Sequence, residues 1–378
     1  MKILFVSRAF PPTIGGIEQQ NADLARFLGQ EAELTLIANT RGKSFLPIFF
    51  PYALLKSLLL LPHHDALLLG DGVLAPIGAF VKLCFPKKAV VSVVHGLDLT
   101  FAKKSGLLPG IYRFFHLPAL RALDGIICVS KQTKEVALSL GIKDARAYVI
   151  PNGIHPEAFA PDPKYTREAL AAFLQKDLTG KKVILRLGRF VEHKGVEWFI
   201  RNVVTKLPEH VLFVAAGGVA KKGVPGDQSF FPRCVSAIEE LGLSDRVTLL
   251  TNIPSSDVQL LLHTADLAVA PNIPVPGTME GFGISVLEAS ISGLPIVVSR
   301  LEGLQEAVPD ERNGIFAEPG NADDFVGKIN GLLADDAKRK AFGAQAAIFT
   351  REHFGWTKLS RQYLSLLEDF RKSATDTH

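Results

Sequence analysis

The chain has 378 residues, 47% hydrophobic and 21% charged, which is enough apolar material for two domains with their own cores and excludes a disordered protein. Its three cysteines, Cys84, Cys128 and Cys234, are far apart and fit neither a disulfide framework nor zinc spacing, so a reducing, cytoplasmic setting is expected. The net charge of +4 is uneven: residues 1–165 hold 18 Lys and Arg against 12 Asp and Glu, a net +6, while the remainder holds 24 against 26, a net −2. A mildly basic first half suits an anionic partner or merely scattered surface lysines, and no nucleic acid is expected as a partner. No run of about 18 apolar residues is evident, so no spanning helix is expected, and Met1–Arg8 reads as a strand and not as a signal peptide.

Lys2–Ser7 is a β-branched and aromatic run followed by Phe10-Pro-Pro-Thr-Ile-Gly-Gly-Ile17 and a helical pattern from Glu18 to Leu28. Strand, glycine turn and helix is the opening of a nucleotide-binding type of unit, although the G-x-G-x-x-G fingerprint is absent. Gly15 and Gly16 either let a phosphate or sugar lie against the backbone or only shape a tight turn. Buried strands are expected at Glu33–Asn39, Ala66–Gly70, Ala89–His95, Gly125–Ser130 and Ala147–Ile150, separated by segments of helical length. That alternation predicts a parallel sheet covered on both faces.

The fourth strand ends in Val94-His95-Gly96-Leu97-Asp98, which puts His95 at a strand end as either a structural hydrogen-bonder or a functional group. Two stretches are unusually apolar, 45–61 and 101–115. The second mixes aromatics with Lys103, Lys104 and Arg113, a pattern that suits helices covering the sheet or a segment lying in a lipid headgroup layer.

Val149-Ile-Pro-Asn-Gly-Ile-His155 closes the first sheet, and Pro156, Pro161 and Pro163 stiffen a connector. The boundary is placed so that 1–165, with a returning C-terminal helix from about 355 to 378, forms one domain and 166–354 the other. Six further strands are expected, at Lys182–Leu187, His210–Ala216, Arg246–Leu250, Leu267–Ala270, Pro295–Ser299 and Gly314–Ala317. The first delivers Arg189 and Lys194 in a strand-to-helix loop, where two cations and a helix N-terminus make a diphosphate clamp. No Asp-x-Asp pair offers a divalent metal the same task, so neither metal nor other cofactor is expected. Thr251-Asn-Ile-Pro254 and Ala270-Pro-Asn272 bring Ile253 and Asn272 to strand ends where a nucleobase edge could meet backbone groups, although turn chemistry alone explains them.

The most informative stretch is Pro276–Pro295. Glu280 and Glu288 stand eight positions apart, with Gly281 and Gly283 after the first, and Ile284, Val286, Leu287 and Ile291 read as a helix packed on a sheet. A glycine-rich turn feeding a helix N-terminus favours an anion, yet a capped helix with two solvated glutamates fits the same letters.

The spacing and neighbours resemble the Glu-x7-Glu element of retaining GT-B glycosyltransferases, family four especially. Gly15-Gly16, His95, Pro151-Asn-Gly153 and Arg189 with Lys194 follow that family's order. The resemblance implies an α/β fold of two Rossmann-like parallel-sheet domains facing across a cleft, with the last helix, from about Trp356 to Arg371, crossing back to the first. It implies a nucleotide-sugar donor and a glycan or lipid-linked acceptor, and a peripheral contact with an anionic membrane, at the inner face of the cytoplasmic membrane. By the same resemblance Glu280, Gly281, Phe282, Gly283 and Ile284 hold sugar and phosphate, Glu288 binds ribose hydroxyls, and His95 lies beside the transferred sugar. Catalysis would then rest on Glu280, His95, Arg189 and Lys194.

Two other classes share these letters: a sugar-nucleotide epimerase of the same fold and a non-catalytic nucleotide-sugar-binding module at a membrane surface. A dehydrogenase is disfavoured by the missing dinucleotide fingerprint.

Overall fold

Among the described residues twelve short runs of apolar and β-branched residues become strands, because each is bounded by a turn and long enough to cross a buried sheet once. The computed structural model describes residues 1–13, 15–103, 106–219 and 230–376. In the first half the strands are β1 (Lys2–Ser7), β2 (Glu33–Ala38), β3 (Ala66–Leu69), β4 (Ala89–Val94), β5 (Gly125–Cys128) and β6 (Ala147–Val149). In the second they are β7 (Lys182–Leu187), β8 (Val211–Gly217), β9 (Val247–Thr251), β10 (Leu267–Ala270), β11 (Ile296–Ser299) and β12 (Ile315–Ala317). Every strand read from the sequence is present, with ends moved by no more than two residues.

The helices are α1 (Gly16–Glu31), α2 (Leu46–Leu60), α3 (Ala75–Cys84), α4 (Leu97–Thr100), α5 (Leu107–Ala122), α6 (Lys131–Ser139), α7 (Arg167–Leu174) and α8 (Val196–Asn202). They continue with α9 (Phe230–Glu240), α10 (Ser255–Thr264), α11 (Ile284–Ile291), α12 (Leu304–Ala307), α13 (Ala322–Leu333), α14 (Asp336–Phe354) and α15 (Trp356–Asp376).

The strands form two parallel six-stranded sheets, ordered β2-β1-β3-β4-β5-β6 and β12-β11-β10-β7-β8-β9. β3, β4 and β5 are buried along their whole length, as the middle strands of a sheet with helices on both faces must be. Each order reverses once, between β1 and β3 in the first sheet and between β7 and β10 in the second. There neighbouring crossovers leave in opposite directions, and the strands' carboxyl ends open a crevice.

The chain divides into two compact units. The first comprises Met1–His155, Gly277–Phe282 and Phe354–His378, and the second Pro156–Pro276 and Gly283–His353. In the first, Leu4, Val6, Leu67, Leu69, Val90 and Ile126 lie at the centre of an apolar core. In the second, Ile184, Phe199, Phe213, Val269 and Phe325 do the same.

The helix Lys43–His63, which spans α2 and its flanking turns, is long and apolar enough to cross a membrane by length and composition, where the sequence reading expected none. Lys43, Lys56 and three prolines (Pro47, Pro51 and Pro62) lie in this stretch without lowering its mean hydropathy enough to matter. Phe49, Ala53 and Ser57 on its inner side are nevertheless buried against the first unit. Of the cations noted in 101–115, Lys104 lies outside the described residues.

The last helix belongs to the first unit. Its entry is held by a backbone exchange: Ile154 N–H donates to the Phe354 carbonyl at 2.8 Å and Trp356 N–H to the Ile154 carbonyl at 3.1 Å. Trp356 is 1% exposed, and its indole lies where a Cβ on Gly153 would be, 2.6 Å away. Gln20 of α1 clamps the same Gly153 through both its N–H (3.0 Å) and its carbonyl (2.8 Å). Further along, the ring of Phe370 occupies the space beside Gly125. Trp356→Ala should therefore cost about 3–5 kcal/mol by leaving a large cavity. Denaturant unfolding measures it, and a loss below about 1 kcal/mol would mean that the helix is docked by other contacts.

Candidate functional site at the carboxyl ends of the strands

In the second unit the candidate residues gather where the strand order reverses. β7 ends at Leu187 and continues through Gly188, in left-handed backbone at φ +126°, to the exposed Arg189 and the partly buried Lys194. The loop then turns at Gly195, φ +70°, into α8. Gly195 has no room for a side chain, since a Cβ there would lie 1.9 Å from the Pro271 carbonyl oxygen. This close approach lets Ile273 N–H donate to the His193 carbonyl at 3.0 Å, which ties the loop after β7 to the loop after β10. Lys194 and the buried Asn272 are thus carried on two loops stitched together.

Arg189 is held from below. Arg186 of β7 is 1% exposed, and its guanidinium donates to the carbonyls of Gly188 and Arg189. On the other side Phe190 N–H donates to the Gly218 carbonyl at 2.9 Å, and Asn252 N–H to the Gly217 carbonyl at 3.2 Å. The ends of β7, β8 and β9 are linked in this way, with Ile253 next to the Asn252 turn.

Gly283, at φ +96°, caps α11, and a Cβ on it would meet Leu304 at 2.5 Å. α11 buries Val286, Leu287, Ala289 and Ile291 and leaves Glu288 partly exposed, one turn past Ile284. Desolvation pushes the Glu288 carboxyl up to about 7, while the Lys194 charge opposes that rise. An acid raised by burial beside a cation is suited to accept hydrogen bonds from a ligand that completes its surroundings.

The first unit holds the other candidates. His95 is 9% exposed, and its Nε2 lies 3.0 Å from the Gly70 carbonyl. A carbonyl only accepts, so Nε2 carries a proton and donates to it. A Cβ on Gly281 would stand 2.4 Å from the His95 carbonyl oxygen, and Met279 packs against Gly96. The loop carrying the partly buried Glu280 therefore rests directly on the end of β4. Phe282 is 2% exposed and packs edge-on against Phe354, so its ring belongs to the core and only its backbone is left to meet a ligand. Gly15 is in extended backbone at φ 170°, and Gly16 begins α1, so the expected glycine turn is the first residue of a helix and the one before it.

Two family models divide the chain between them: "Glycosyl transferases group 1" matches residues 171–348, and "Glycosyltransferase Family 4" matches residues 14–158. The chain belongs to glycosyltransferase family 4. It is 24% identical to the GDP-mannose-dependent alpha-(1-6)-phosphatidylinositol monomannoside mannosyltransferase of Mycolicibacterium smegmatis, over 98% of this chain and 99% of that protein. It is 32% identical to the N,N'-diacetylbacillosaminyl-diphospho-undecaprenol alpha-1,3-N-acetylgalactosaminyltransferase of Campylobacter jejuni, over 68% of this chain and 64% of that one. Among solved structures, HepE of Anabaena in complex with UDP superposes with a TM-score of 0.77 at 20% identity, covering 98% of this chain and 100% of that one, which shows the shared fold.

Three residues of this glycosyltransferase escaped the sequence reading. Asp98 Oδ2 accepts from the N–H of Gly72 (3.0 Å) and of His95 (3.2 Å), joining the ends of β3 and β4, and its own carbonyl accepts from the Tyr112 hydroxyl at 2.7 Å. Asp71, after β3, is 1% exposed and paired at 2.9 Å with Arg8, after β1. Burial raises the Asp71 carboxyl while the Arg8 charge opposes it. Arg186 is the third. The available signals were an Asp three positions after His95 and a lone Arg inside the apolar strand Lys182-Val-Ile-Leu-Arg-Leu187. Among the described residues no group of three His, Cys, Asp or Glu side chains could hold a metal ion.

The Glu288 carboxyl is raised from an unfolded value of 4.5 to about 7. The folded chain therefore binds more protons across that window, and stability falls as pH rises through it. Glu288→Gln should match the parent near pH 4.5 and exceed it at pH 8 by about 1–3 kcal/mol in denaturant unfolding; equal pH slopes for the two proteins would contradict the burial argument. Gly281→Ala forces a Cβ into the His95 carbonyl, and a backbone atom cannot swing aside. Misplacing the Glu280 loop should lower kcat/KM for glycosyl transfer about 10²-fold, whereas Gly327→Ala, with open space around it, should leave kcat/KM unchanged.

Proposed function

We propose that the chain is a retaining hexosyltransferase moving a hexosyl group from a nucleotide-diphosphate sugar, GDP-mannose or a UDP-hexose, to a glycan or lipid-linked acceptor. The pathway is cell-envelope polysaccharide, lipopolysaccharide or glycolipid synthesis, at the inner face of the cytoplasmic membrane. The second unit takes the nucleotide sugar and the first the acceptor. The observation that carries the reading is the reversal point of the second sheet, where Lys194 acts on the partly exposed Glu288 and shares a stitched loop pair with Asn272.

Transfer breaks the bond from the anomeric carbon to a phosphate oxygen and leaves fresh charge on a diphosphate. Arg189 and Lys194 neutralise it: one charge pair at ~4 Å and effective dielectric ~20 is worth ~4 kcal/mol. The N-terminus of α11 adds ~0.3–2 kcal/mol, so the cations are the main term. No divalent metal is needed for that task. Glu288 accepts the ribose hydroxyls, and the backbone amides from Gly281 to Ile284 meet phosphate and sugar. His95 and Glu280 meet the transferred sugar. The acceptor oxygen then bonds to the same face of the anomeric carbon as the phosphate leaves, and its proton passes to the departing phosphate oxygen. No covalent enzyme intermediate forms.

The donor name of the Mycolicibacterium relative and the UDP bound in the Anabaena structure support the two donor classes. A melting panel with UDP, GDP, ADP and their sugars tests the reading, because a ligand at 100 times its Kd stabilises by about 2.7 kcal/mol. One nucleotide class should raise Tm. Arg189→Ala and Lys194→Ala should each lower kcat by about 10²–10³-fold, and a chelator should leave the rate unchanged. No response to any nucleotide, or a glycosyl adduct trapped on Glu280, would overturn the donor site or the mechanism respectively.

A further inference from the structure

Arg186 stands near the end of β7, behind the apolar run Val183-Ile-Leu185, and is 1% exposed. A buried ion is expensive to desolvate, and an apolar side chain of similar volume commonly serves a core as well or better. Stability is therefore a weak reason for an arginine at this position. What the guanidinium touches gives a stronger one. Nη1 donates to the Gly188 carbonyl, and Nη2 donates to the Arg189 carbonyl at 3.1 Å. A planar fork matches two carbonyls at once, which a lysine ammonium on its flexible stem does not.

Turning these carbonyls inward also decides where the loop's N–H groups face. The Gly188 N–H donates to the Ala216 carbonyl at 3.0 Å and the Phe190 N–H to the Gly218 carbonyl at 2.9 Å, so both face β8 and its loop. Between them lies the trans peptide joining Gly188 to Arg189, seated over Gly217 of β8. A Cβ on Gly217 would stand 1.9 Å from the oxygen of that peptide and 3.2 Å from its nitrogen. Gly188 enters this arrangement at φ +126°, in backbone that favours glycine.

In a planar trans peptide the N–H points opposite to the carbonyl. The Gly188 oxygen lies on the guanidinium and on the β8 side, so the Arg189 N–H is turned to the β10 side. That is the reversal point of the sheet, where the loops carrying Lys194 and Asn272 are stitched together. Among the described residues the Arg189 N–H has no hydrogen-bond acceptor. It is left to water or to a ligand. Hydrogen bonds in series polarise one another, so a guanidinium on the carbonyl strengthens the N–H of the same peptide as a donor. Such a donor suits a charged oxygen best, because charge-assisted bonds are roughly twice as strong as neutral ones.

We propose that Arg186 is a positioning residue of the transfer: from inside the sheet it turns the Arg189 N–H outward as a backbone donor to the nucleotide's diphosphate. The Arg189 side chain and the Arg189 N–H then meet the same anion, and the buried arginine holds the second of them in place. This deepening rests on the donor-site reading for the identity of the anion.

The amide proton of Arg189, followed by NMR in the full chain, should move downfield as UDP or GDP binds. Arg186→Met should remove that movement and weaken the nucleoside diphosphate about tenfold, while uridine or guanosine binds as it does to the parent. Arg186→Gln, neutral but still able to donate to a loop carbonyl, keeps the test open where the methionine variant does not fold. It should show the same selective loss, and Arg186→Lys, which restores the charge, should recover part of it. Equal losses for nucleoside and nucleoside diphosphate would overturn the proposal, because the guanidinium would then only satisfy two carbonyls. An Arg189 amide unmoved by nucleotide, or variants that bind the diphosphate as the parent does, would overturn it as well. A parent protein that binds neither UDP nor GDP would instead bring down the donor-site reading itself, and this deepening with it.

Discussion

The second unit turns on a contact between two loops in which there is no side chain to spare. The Pro271 carbonyl lies where Gly195 would carry a Cβ, and the Ile273 N–H reaches the His193 carbonyl 3.0 Å away. Loops leaving neighbouring strands in opposite directions would otherwise splay apart. Stitching them holds Lys194 and Asn272 in one place and brings the ammonium charge to bear on the Glu288 carboxyl. Any larger residue at position 195 would part the loops and release both.

The same economy recurs in the first unit with different atoms. There the carboxyl ends of β3 and β4 are joined by one carboxylate, Asp98, taking two backbone N–H groups, and the ends of β1 and β3 by the Arg8–Asp71 pair. His95 is held at both its backbone and its ring, so the rim on which Gly281 rests is rigid. Buried charges are costly unless paired or hydrogen-bonded: Asp71 has the Arg8 guanidinium and Asp98 Oδ2 its two N–H groups, while Asp98 Oδ1 is buried without a hydrogen bond. Preorganisation of this kind is what a group transfer requires, because donors that must reorient during the reaction give back much of what they stabilise.

Arg186 shows why sequence and chemistry separate at such places. In the strand Lys182-Val-Ile-Leu-Arg-Leu187 an arginine reads as an interruption of an apolar pattern. In the fold its guanidinium donates to two carbonyls of the loop that carries Arg189. The candidate cation of the proposed donor site is the exposed one, and the buried one holds its loop. No period or spacing distinguishes the two, since their roles depend on which carbonyls turn inward. Phe282 makes the converse point: it sits inside the glycine-rich element, yet its ring fills the core beside Phe354.

By itself the sequence determined the number and nearly the ends of the twelve strands, the alternation with helices, and the residues that stand at strand ends. Those follow from local rules: apolar runs of strand length, glycine and proline punctuation, and helical periodicity. It also carried the Glu280–Glu288 spacing, because one loop and one helix contain both residues. Only the tertiary structure decided that Gly277–Phe282 packs with the first unit while Gly283 begins a helix of the second. It also decided that Asp98 is a backbone clamp and that the peptide after Gly188 is seated over Gly217 of β8. Such facts join residues far apart in the chain, and burial and hydrogen bonding act on distance in space, which a linear pattern does not record.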